Sequence, residues 1–466
     1  MTDYILAEGR IISRELAGKA RYLDYWLEEQ KRGITMKTTV MSFTVKHQGR
    51  EYLIHLCDTP GHVDFSGKVS RALRLVDSVL FVVDAVEGVM AQTESYLRLA
   101  LKEAVKPILC INKIDRLITE LKASQNQILS KLSLIIRRFN ELVSKYAPEE
   151  VKDEWLIDPR KENAIFCSAL HGWGFTLSQA IKEGIKFGDI IDIYKVRPEK
   201  LRDMFPLGQT LVNVIARNCP KPTDAQGLRI KYLWDGEYLK ELRDCSEEGA
   251  TIFYVSKASV EKNKIFVTCR VFSGKVRIGE YIRLNDGKKK RIKNLFLLRA
   301  FKMKSLDEVP AGNIFGAFLD ARSGETFADS PIKGIFKPPT YLAYPVLSVA
   351  IEPREFADFN RLCDLLKQMQ IEDPNISVEL SKETGQILIF GIGELHLELI
   401  VKKILEHIPI YFSKPIVSFR EVLVDHIEER TEQLYISVEP ILRLGETELF
   451  HEDKNEIIIH GFDVNR

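Results

Sequence analysis

Short apolar runs alternate with helical patterns over roughly the first 200 residues of the chain. The runs at 78–85 (SVLFVVDA) and 106–112 (KPILCIN) are continuously apolar, as is typical of strands buried on both faces of a sheet. The stretches 38–47 and 51–58 also predict strands, separated by a His-Gln-Gly-Arg turn. Helical patterns lie between and after these strands, at 66–76, 92–104 and 117–147. This order predicts a mostly parallel α/β sheet with helices on both faces.

The pattern changes twice farther along the chain. Prolines punctuate 206–228, which predicts a linker, and short strands with glycine-bearing turns over 229–335 predict an antiparallel β-barrel. Pro338 and Pro339 predict a second linker, and the β-α-β-β-α order after them is typical of a ferredoxin-like α+β domain. We therefore predict four domains, of which the last is the start of a truncated further domain, at 1–205, 206–337, 338–412 and 413–466.

The composition narrows the class of protein without assigning a function. A chain of 466 residues is long enough for three or four domains. Its 67 Lys and Arg balance 66 Asp and Glu, a net charge of +1, so any contact with nucleic acid must be local. Seven scattered cysteines without a CxxC pair indicate free thiols in a reducing compartment. The N-terminus has no signal-peptide pattern and no apolar run is long enough to span a bilayer, so we expect a cytoplasmic protein without membrane contact.

The second predicted strand leads directly into DTPGH, residues 58–62. An Asp at the carboxyl tip of such a strand lies where open α/β sheets bind ligands, and Asp58 can hold Mg²⁺ directly or through water. Gly61 has no side chain, so a backbone N–H can approach a terminal phosphate there. His62 can then orient an attacking water. The alternative interpretation is an ordinary Pro-Gly turn.

NKID, residues 112–115, ends the strand at 106–112. The Asp115 carboxylate can accept two parallel hydrogen bonds from N1–H and N2–H₂ of guanine, a donor pair that adenine lacks. Lys113 can lay its alkyl chain over the base, and Asn112 can brace the loop. Chance also explains an isolated NKxD, but its place at the end of the next-but-one strand after Asp58 favours guanine recognition.

Two further motifs are weaker when taken alone. SAL, residues 168–170, follows the strand-like NAIFC, and its backbone N–H groups can reach the guanine O6. RGIT, residues 32–35, offers a Thr hydroxyl for Mg²⁺ and a backbone N–H for a γ-phosphate. Loss of that phosphate would release the loop, which is a switch. An unrelated Ser-Ala pair and a glycine-bearing turn are the alternatives.

Taken in order, these motifs resemble those of the translational GTPases, and most closely the elongation factor 2 family of archaea and eukaryotes. The resemblance covers nearly the whole chain, through 16–37, 56–94, 107–122, 168–175, 270–280, 309–316, 321–326, 347–353, 371–399, 415–421 and 434–441. The family translocates tRNA and mRNA through the ribosome and couples GTP hydrolysis to that movement. The resemblance therefore implies GTP and Mg²⁺ as cofactors and the ribosome, through rRNA and ribosomal proteins, as direct partner. It also implies indirect contact with the tRNA–mRNA complex and a monomeric state.

The resemblance also implies a role for each motif residue. Thr35 and Asp58 bind Mg²⁺, Gly61 contacts the γ-phosphate, and His62 is the catalytic residue that positions the hydrolytic water. Thr59 and Pro60 complete the nucleotide-binding turn. The guanine base is contacted by Asn112, Lys113, Ile114, Asp115, Ser168 and Ala169.

Two departures from the family pattern affect these expectations. The family has a phosphate loop, Gly-x-x-x-x-Gly-Lys-Thr, before the helix that residues 2–12 resemble, and no GKT or GKS occurs in this chain. We therefore expect a P-loop-type GTPase domain without its first strand and phosphate loop, and a low affinity for GTP. The strands that end at Asp58 and Asp84 should each have an unpaired edge. Near the other end, the family continues after SFRE with a long domain whose tip enters the decoding site, and we can match no counterpart of that tip in this sequence.

Several explanations of these departures stay open. We favour an incomplete chain over a degenerate relative and over a split protein whose missing strand comes from a second chain. For function, the first hypothesis is a translational GTPase, and the alternative is a ribosome-binding paralogue that does not hydrolyse GTP. A third candidate is the related GTPase of large ribosomal subunit maturation, which would need a long insertion in the barrel that this sequence lacks.

Overall fold

The structure of this chain is a computed structural model. It describes residues 1–237, 240–284, 287–300, 302–380 and 385–417, and the backbone of three short strands beyond them. The chain divides into two compact units, residues 1–415 and 416–466. No helix within the described ranges is long and apolar enough to cross a membrane.

The first segment, residues 1–233, contains all four strands predicted from its apolar runs. Its helices are α1 (Thr2–Glu8), α2 (Leu27–Arg32), α3 (Ser66–Leu73), α4 (Ala91–Lys102), α5 (Ile114–Thr119), α6 (Gln125–Tyr146), α7 (Lys152–Trp155), α8 (Leu177–Lys182), α9 (Phe187–Val196), α10 (Pro198–Met204), α11 (Leu207–Asn218) and α12 (Pro222–Leu233). Its strands are β1 (Thr39–His47), β2 (Arg50–Asp58), β3 (Ser78–Asp84), β4 (Lys106–Asn112), β5 (Ala164–Ser168) and β6 (Trp173–Phe175). The single helical region predicted over 117–147 is divided, because Ser124 caps the start of α6 by accepting the backbone N–H of Gln127.

A parallel sheet of β3, β4 and β5, extended by the antiparallel β6, lies at the centre of the first segment. Helices α4, α6 and α9 bury their apolar residues on one face, and α1 and α11 pack against the other. Because the three strands are parallel, their last residues, Asp84, Asn112 and Ser168, lie at the same edge of the sheet. That edge is where α/β sheets place their ligands.

The hairpin of β1 and β2 does not join this parallel sheet, so the prediction of one mostly parallel sheet was only partly right. The two strands pair with each other from Thr39–Asp58 to His47–Arg50, and β1 also pairs with a later strand through Met41 and Arg299. Among the described residues, β2 has no partner on its other edge, and neither does the edge of β3 away from β4. A cavity of about 750 Å³ separates the two strands. These are the two unpaired edges that the sequence predicts.

The prediction of a linker over 206–228 was wrong, because this stretch forms α11 and most of α12. Pro206 directly precedes α11 and Pro222 is the first residue of α12, positions at which proline favours the start of a helix. Leu207 and Leu211 of α11 are fully buried in the core that also contains Ile5 of α1. Helix α11 therefore packs as part of the first segment. The other predicted domain boundaries stay predictions.

The second segment, residues 234–336, is rich in short antiparallel strands. Its elements are β7 (Trp234–Gly236), α13 (Lys240–Arg243), β8 (Ile252–Glu261), β9 (Lys264–Ser273), β10 (Lys275–Arg277), β11 (Tyr281–Leu284), β12 (Lys289–Arg291), β13 (Phe296–Arg299), β14 (Lys302–Ser305), β15 (Glu308–Pro310), β16 (Ile314–Phe318), β17 (Thr326–Ala328) and β18 (Gly334–Phe336). The main sheet has the order β12-β11-β17-β8-β9-β16-β13 and continues into β1 and β2. The antiparallel organisation agrees with the predicted barrel, although the pairs between described residues form an open path.

The third segment, residues 347–412, has the element order β-α-β-β-α-β. Its elements are β19 (Leu347–Pro353), α14 (Phe359–Glu372), β20 (Ser377–Leu380), β21 (Ile387–Gly391), α15 (Glu394–Leu405) and β22 (Ile410–Phe412). The strands form an antiparallel sheet in the order β20-β21-β19-β22, as the ferredoxin-like prediction requires. The second unit contains β23 (Ile416–Val417), β24 (Ile427–Arg430), β25 (Leu434–Val438) and β26 (Ile457–Gly461), of which the last three form an antiparallel sheet.

Candidate nucleotide site

Asp58 ends β2 at the wall of the cavity that separates β2 from β3. Thr35 and Gly61 line the same cavity, together with the two residues between Asp58 and Gly61. A Cβ atom built on Gly61 would meet nothing within 4 Å, so the backbone there is open to a ligand. The structure therefore brings together the residues predicted to hold the metal and the γ-phosphate.

The position of Thr35 is determined by the helix that precedes its loop. Helix α2 ends at Gly33, whose φ of 69° is in the left-handed region that favours glycine. The buried carboxylate of Glu29 then accepts the backbone N–H groups of Met36 and Lys37 at 2.9 and 2.8 Å, which holds the chain just after Thr35. The Thr35 hydroxyl is thereby left at the cavity wall, where it donates a hydrogen bond to Asp24.

Asp24 is the carboxylate that sequence reasoning missed. It accepts the Thr35 hydroxyl at 2.9 Å and lines the same cavity as Asp58. Burial, together with the negative charge of Asp24, raises the pKa of Asp58 to about 7. A cation between two carboxylates and a hydroxyl would relieve this repulsion, and oxygen atoms are the ligands that Mg²⁺ prefers. The residues present therefore fit Mg²⁺, which Asp58, Thr35 and Asp24 would hold, although the described residues contain no cluster of three or more His, Cys, Asp or Glu.

The raised pKa of Asp58 predicts how the stability of the chain depends on pH. Between its ordinary value of 3.8 and about 7, the folded state binds the proton more tightly than the unfolded state does. The contribution of Asp58 to stability should therefore fall as pH rises through this window, and Asp58→Asn should remove that part of the slope. Stabilisation by added Mg²⁺ should in turn grow as pH rises through 7 and vanish in the variant. Thermal unfolding from pH 5 to 8, with and without Mg²⁺, checks both expectations; a variant with the wild-type slope would contradict them.

His62 begins a short 3₁₀ turn, Val63–Phe65, with its side chain 42% exposed. Its Nδ1 accepts the backbone N–H of Asp64 at 3.2 Å, and its carbonyl accepts the Tyr96 hydroxyl at 3.2 Å. Because Nδ1 is an acceptor here, the proton of the neutral ring is carried by Nε2. In this arrangement Nε2–H can donate to a water, and the role of His62 in orienting the hydrolytic water stays a prediction.

The two motifs predicted to contact guanine are joined by a hydrogen bond. Asn112, at the end of β4, accepts the backbone N–H of Ala169 on its Oδ1 at 2.9 Å. The next residue, Lys113, has a φ of 65°, which is uncommon for a residue with a side chain and occurs often at functional sites. Asn112 therefore braces the loop as the sequence predicts, and holds the NKID and SAL motifs together at the sheet edge.

Asp115 presents a buried acceptor without a donor. The residue is 5% exposed, and its Oδ1 has no hydrogen-bond partner among the described residues. Such an oxygen is rare in folded proteins, where buried polar atoms are nearly always paired. The N1–H and N2–H₂ groups of guanine are a matching donor pair. Of the neighbours, Ser168 uses its hydroxyl to accept the N–H of His171, and Ile114 is 1% exposed in the apolar core, so Ile114 can offer only its backbone.

Comparison with known proteins shows which proteins the chain is similar to. Residues 1–221 match the family described as Elongation factor Tu GTP binding domain, residues 266–328 match Elongation factor Tu domain 2, and residues 342–413 match Elongation Factor G, domain III. The chain is 40% identical over 465 residues to Elongation factor 2 of Sulfurisphaera tokodaii, and 39% identical over 479 residues to Elongation factor 2 of Pyrococcus abyssi. Three of its segments thus match domains of translational GTPases, and over most of its length the chain is similar to elongation factor 2 proteins.

The similarity to these elongation factor 2 proteins extends over almost all of this chain but not of theirs. The two alignments cover 94% and 99% of this chain, and 63% and 65% of the relatives. The chain thus spans less than two thirds of the length of the curated relatives it matches. A crystal structure of a protein from Thermus thermophilus superposes with a TM-score of 0.61 over 94% of this chain and 70% of that chain, at 20% identity, which shows a shared fold.

Two more acidic residues of this elongation factor 2 relative shape the site and were not predicted. Asp84, the last residue of β3, contacts Lys113 Nζ at 2.9 Å and Arg116 at 3.1 Å, and so fixes the NKID loop from the neighbouring strand. Asp64 follows His62 and is buried at a contact with the third segment. Asp84 could have been found from sequence because it ends an apolar run. The periodicity of the sequence contains no signal for Asp64, which lies in a short turn.

Proposed function

We propose that this chain binds GTP and Mg²⁺ and serves the GTPase cycle of an elongation factor that couples hydrolysis to ribosomal translocation of tRNA and mRNA. The observation that carries the proposal is the unpaired, buried oxygen of Asp115, held next to the SAL loop through the bond between Asn112 and Ala169. An acceptor of this kind distinguishes guanine from adenine, because only guanine presents N1–H and N2–H₂ side by side.

Each group in the site has a role in this proposal. Asp115 and the Ala169 loop bind the base, and Lys113 lies over it. Asp58 and Thr35 hold Mg²⁺, which when bound would neutralise charge on the phosphates. Gly61 leaves room for the γ-phosphate beside a backbone N–H, and His62 orients the attacking water through Nε2–H.

The groups that we propose for the phosphates are the backbone at Gly61 and the Mg²⁺ held by Asp58 and Thr35. The sequence contains no GKT or GKS, so no lysine of that motif is available for the β- and γ-phosphates. We therefore propose that recognition depends on the base and on Mg²⁺, and that the affinity is low. The partners we propose are the ribosome, directly, and the tRNA–mRNA complex, indirectly, for a monomer that acts in the cytoplasm.

Equilibrium binding to the 466-residue chain tests this proposal. Fluorescent GDP and GTP should bind with a preference for Mg²⁺-containing buffer, and unlabelled GTP but not ATP should displace them. Asp115→Ala should abolish the binding. Glu120→Gln is the matched control, since Glu120 is an exposed acid at the other end of helix α5, where its partner is Arg116. Equal displacement by ATP, or unchanged binding by Asp115→Ala, would contradict the role of Asp115 in selecting guanine. No binding of GDP or GTP at all would favour a ribosome-binding relative that takes no nucleotide.

A further inference from the structure

Helix α15 of the third segment is capped by a residue of the first segment. Its N-cap residue is Gly393, which has no side chain to accept the free N–H groups of the first turn. Asp64 takes this role across 332 residues of sequence, accepting the N–H of His396 on Oδ2 at 3.1 Å. A Cβ atom on Gly393 would collide with Asp64 Oδ1. The absence of a side chain at position 393 is therefore what admits the carboxylate.

Asp64 belongs to the same 3₁₀ turn as His62. Its backbone N–H donates to His62 Nδ1 at 3.2 Å, and its carboxylate Oδ1 lies 3.5 Å from the same nitrogen. A movement of Asp64 that rotates its backbone N–H will therefore also displace the imidazole of His62, which accepts that N–H. Asp64 consequently links the capping bond of α15 to the orientation of His62, because it hydrogen-bonds both His396 and His62.

The same helix also holds the loop of Thr35. Leu399 of α15 packs in a small apolar cluster with Met36, next to Thr35, and with Phe65, next to Asp64. Lys402 donates to Glu28 of α2 at 2.6 Å, and Glu398 forms an ion pair with Arg32. Helix α15 thus contacts both loops that we assign to Mg²⁺ and the γ-phosphate.

The contact continues beneath Asp64 through buried charges. His396 Nε2 lies 3.5 Å from Asp373, whose carboxylate also lies 3.3 Å from Lys68 Nζ of α3. Gly67 of α3 approaches Asn375 so closely that a Cβ atom would collide with its side chain. Gly67 and Gly393 therefore lie at the two ends of the contact between the first and third segments. Each lets a side chain of the other segment, Asn375 or Asp64, come close to its backbone.

We propose that Asp64 is a positioning residue for His62 and that its role as the N-terminal cap of α15 makes the third segment part of the hydrolytic site. This inference rests on the proposed function, since it assigns His62 to the hydrolytic water. It predicts that His62 is correctly oriented only while α15 is docked. Displacement of α15 would therefore slow hydrolysis without removing any group that contacts the nucleotide.

A double-mutant cycle between Asp64 and Gly393 tests the capping contact in the full chain. Gly393→Ala should lower the midpoint of thermal unfolding by several degrees, because the added methyl group collides with the carboxylate. In an Asp64→Ala background the same substitution should have little further effect, since the colliding atoms are gone. Glu394→Gln, an exposed acid in the same helical turn, is the control and should leave the midpoint unchanged. Equal effects of Gly393→Ala in both backgrounds would overturn the contact.

The orientation of His62 requires a readout that a purely structural cap would not alter. The ¹⁵N resonances of the His62 imidazole should indicate an Nε2–H tautomer in the wild type and a mixture in Asp64→Ala, whereas Asp64→Asn, which keeps an acceptor oxygen, should restore the wild-type spectrum. Hydrolysis should follow the same order, with kcat about 10- to 100-fold lower in Asp64→Ala at unchanged nucleotide affinity. An unchanged imidazole spectrum in Asp64→Ala would overturn the positioning role. If the spectra change as expected while the wild type neither binds nor hydrolyses GTP, the proposed function fails and the structural coupling stands.

Discussion

Asp115→Asn is expected to convert the guanine preference of the site into a preference for xanthine. An ionised Asp115 accepts both N1–H and N2–H₂ of guanine, whereas an amide at this position would place an N–H₂ group against another donor. Xanthine carries an oxygen where guanine carries N2–H₂, so one amide oxygen and one amide N–H₂ match it. The loss of two charge-assisted hydrogen bonds should weaken GTP binding about 100-fold, equivalent to about 3 kcal/mol.

The measurement is competition between unlabelled GTP and XTP for the site, with a fluorescent xanthine or guanine nucleotide as probe. Glu120→Gln is again the control, because it removes a neighbouring charge without touching the base-facing oxygen. Thermal unfolding should show that Asp115→Asn is folded, since Oδ1 of this buried side chain has no hydrogen-bond partner among the described residues that the substitution could remove. Loss of GTP binding without any gain of XTP binding would mean that Asp115 supports the loop and does not contact the base.

Three of the residues predicted for the site could be found from sequence because each of them ends an apolar run. Asp58, Asn112 and Ser168 are the last residues of β2, β4 and β5. An apolar run fixes where a buried strand ends, and parallel strands bring their ends to one edge. Local pattern and strand order were therefore sufficient to place Asn112 and Ser168 at one edge, whereas Asp58 ends a strand of the β1–β2 hairpin, outside the parallel sheet.

What could not be predicted depends on contacts between distant parts of the chain. Periodicity cannot show that β1 pairs with β13 through Met41 and Arg299, or that Asp64 caps α15. It also misassigned 206–228, where prolines were interpreted as interrupting the chain although Pro206 and Pro222 start two helices. The burial of His396 against Phe65, with its Nε2 3.5 Å from Asp373, is a further long-range contact of this kind.

Removal of the Asp77 carboxylate is expected to cause the largest loss of stability. Asp77 follows α3 and lies 2.7 Å from Arg270 of β9 and 3.6 Å from Arg229 of α12. Both guanidinium groups are 1% exposed, and burial together with the neighbouring Arg270 lowers the pKa of Arg229 to about 10. Asp77→Ala would leave the two buried cations without the carboxylate that contacts both of them, which should cost about 3–5 kcal/mol.

The two arginines also donate to backbone carbonyls, so removal of the Asp77 carboxylate should leave some of their hydrogen bonds in place. Arg229 donates to the carbonyls of Leu73, Val76 and Glu103, and Arg270 to that of Leu75. Asp77→Asn keeps an acceptor oxygen and should therefore lose less than Asp77→Ala does. Urea unfolding of both variants checks this order, with Asp364→Ala as control because Asp364 and its partner Lys367 are both exposed. A midpoint for Asp77→Ala equal to that of the control would show that the carbonyls alone satisfy the buried cations.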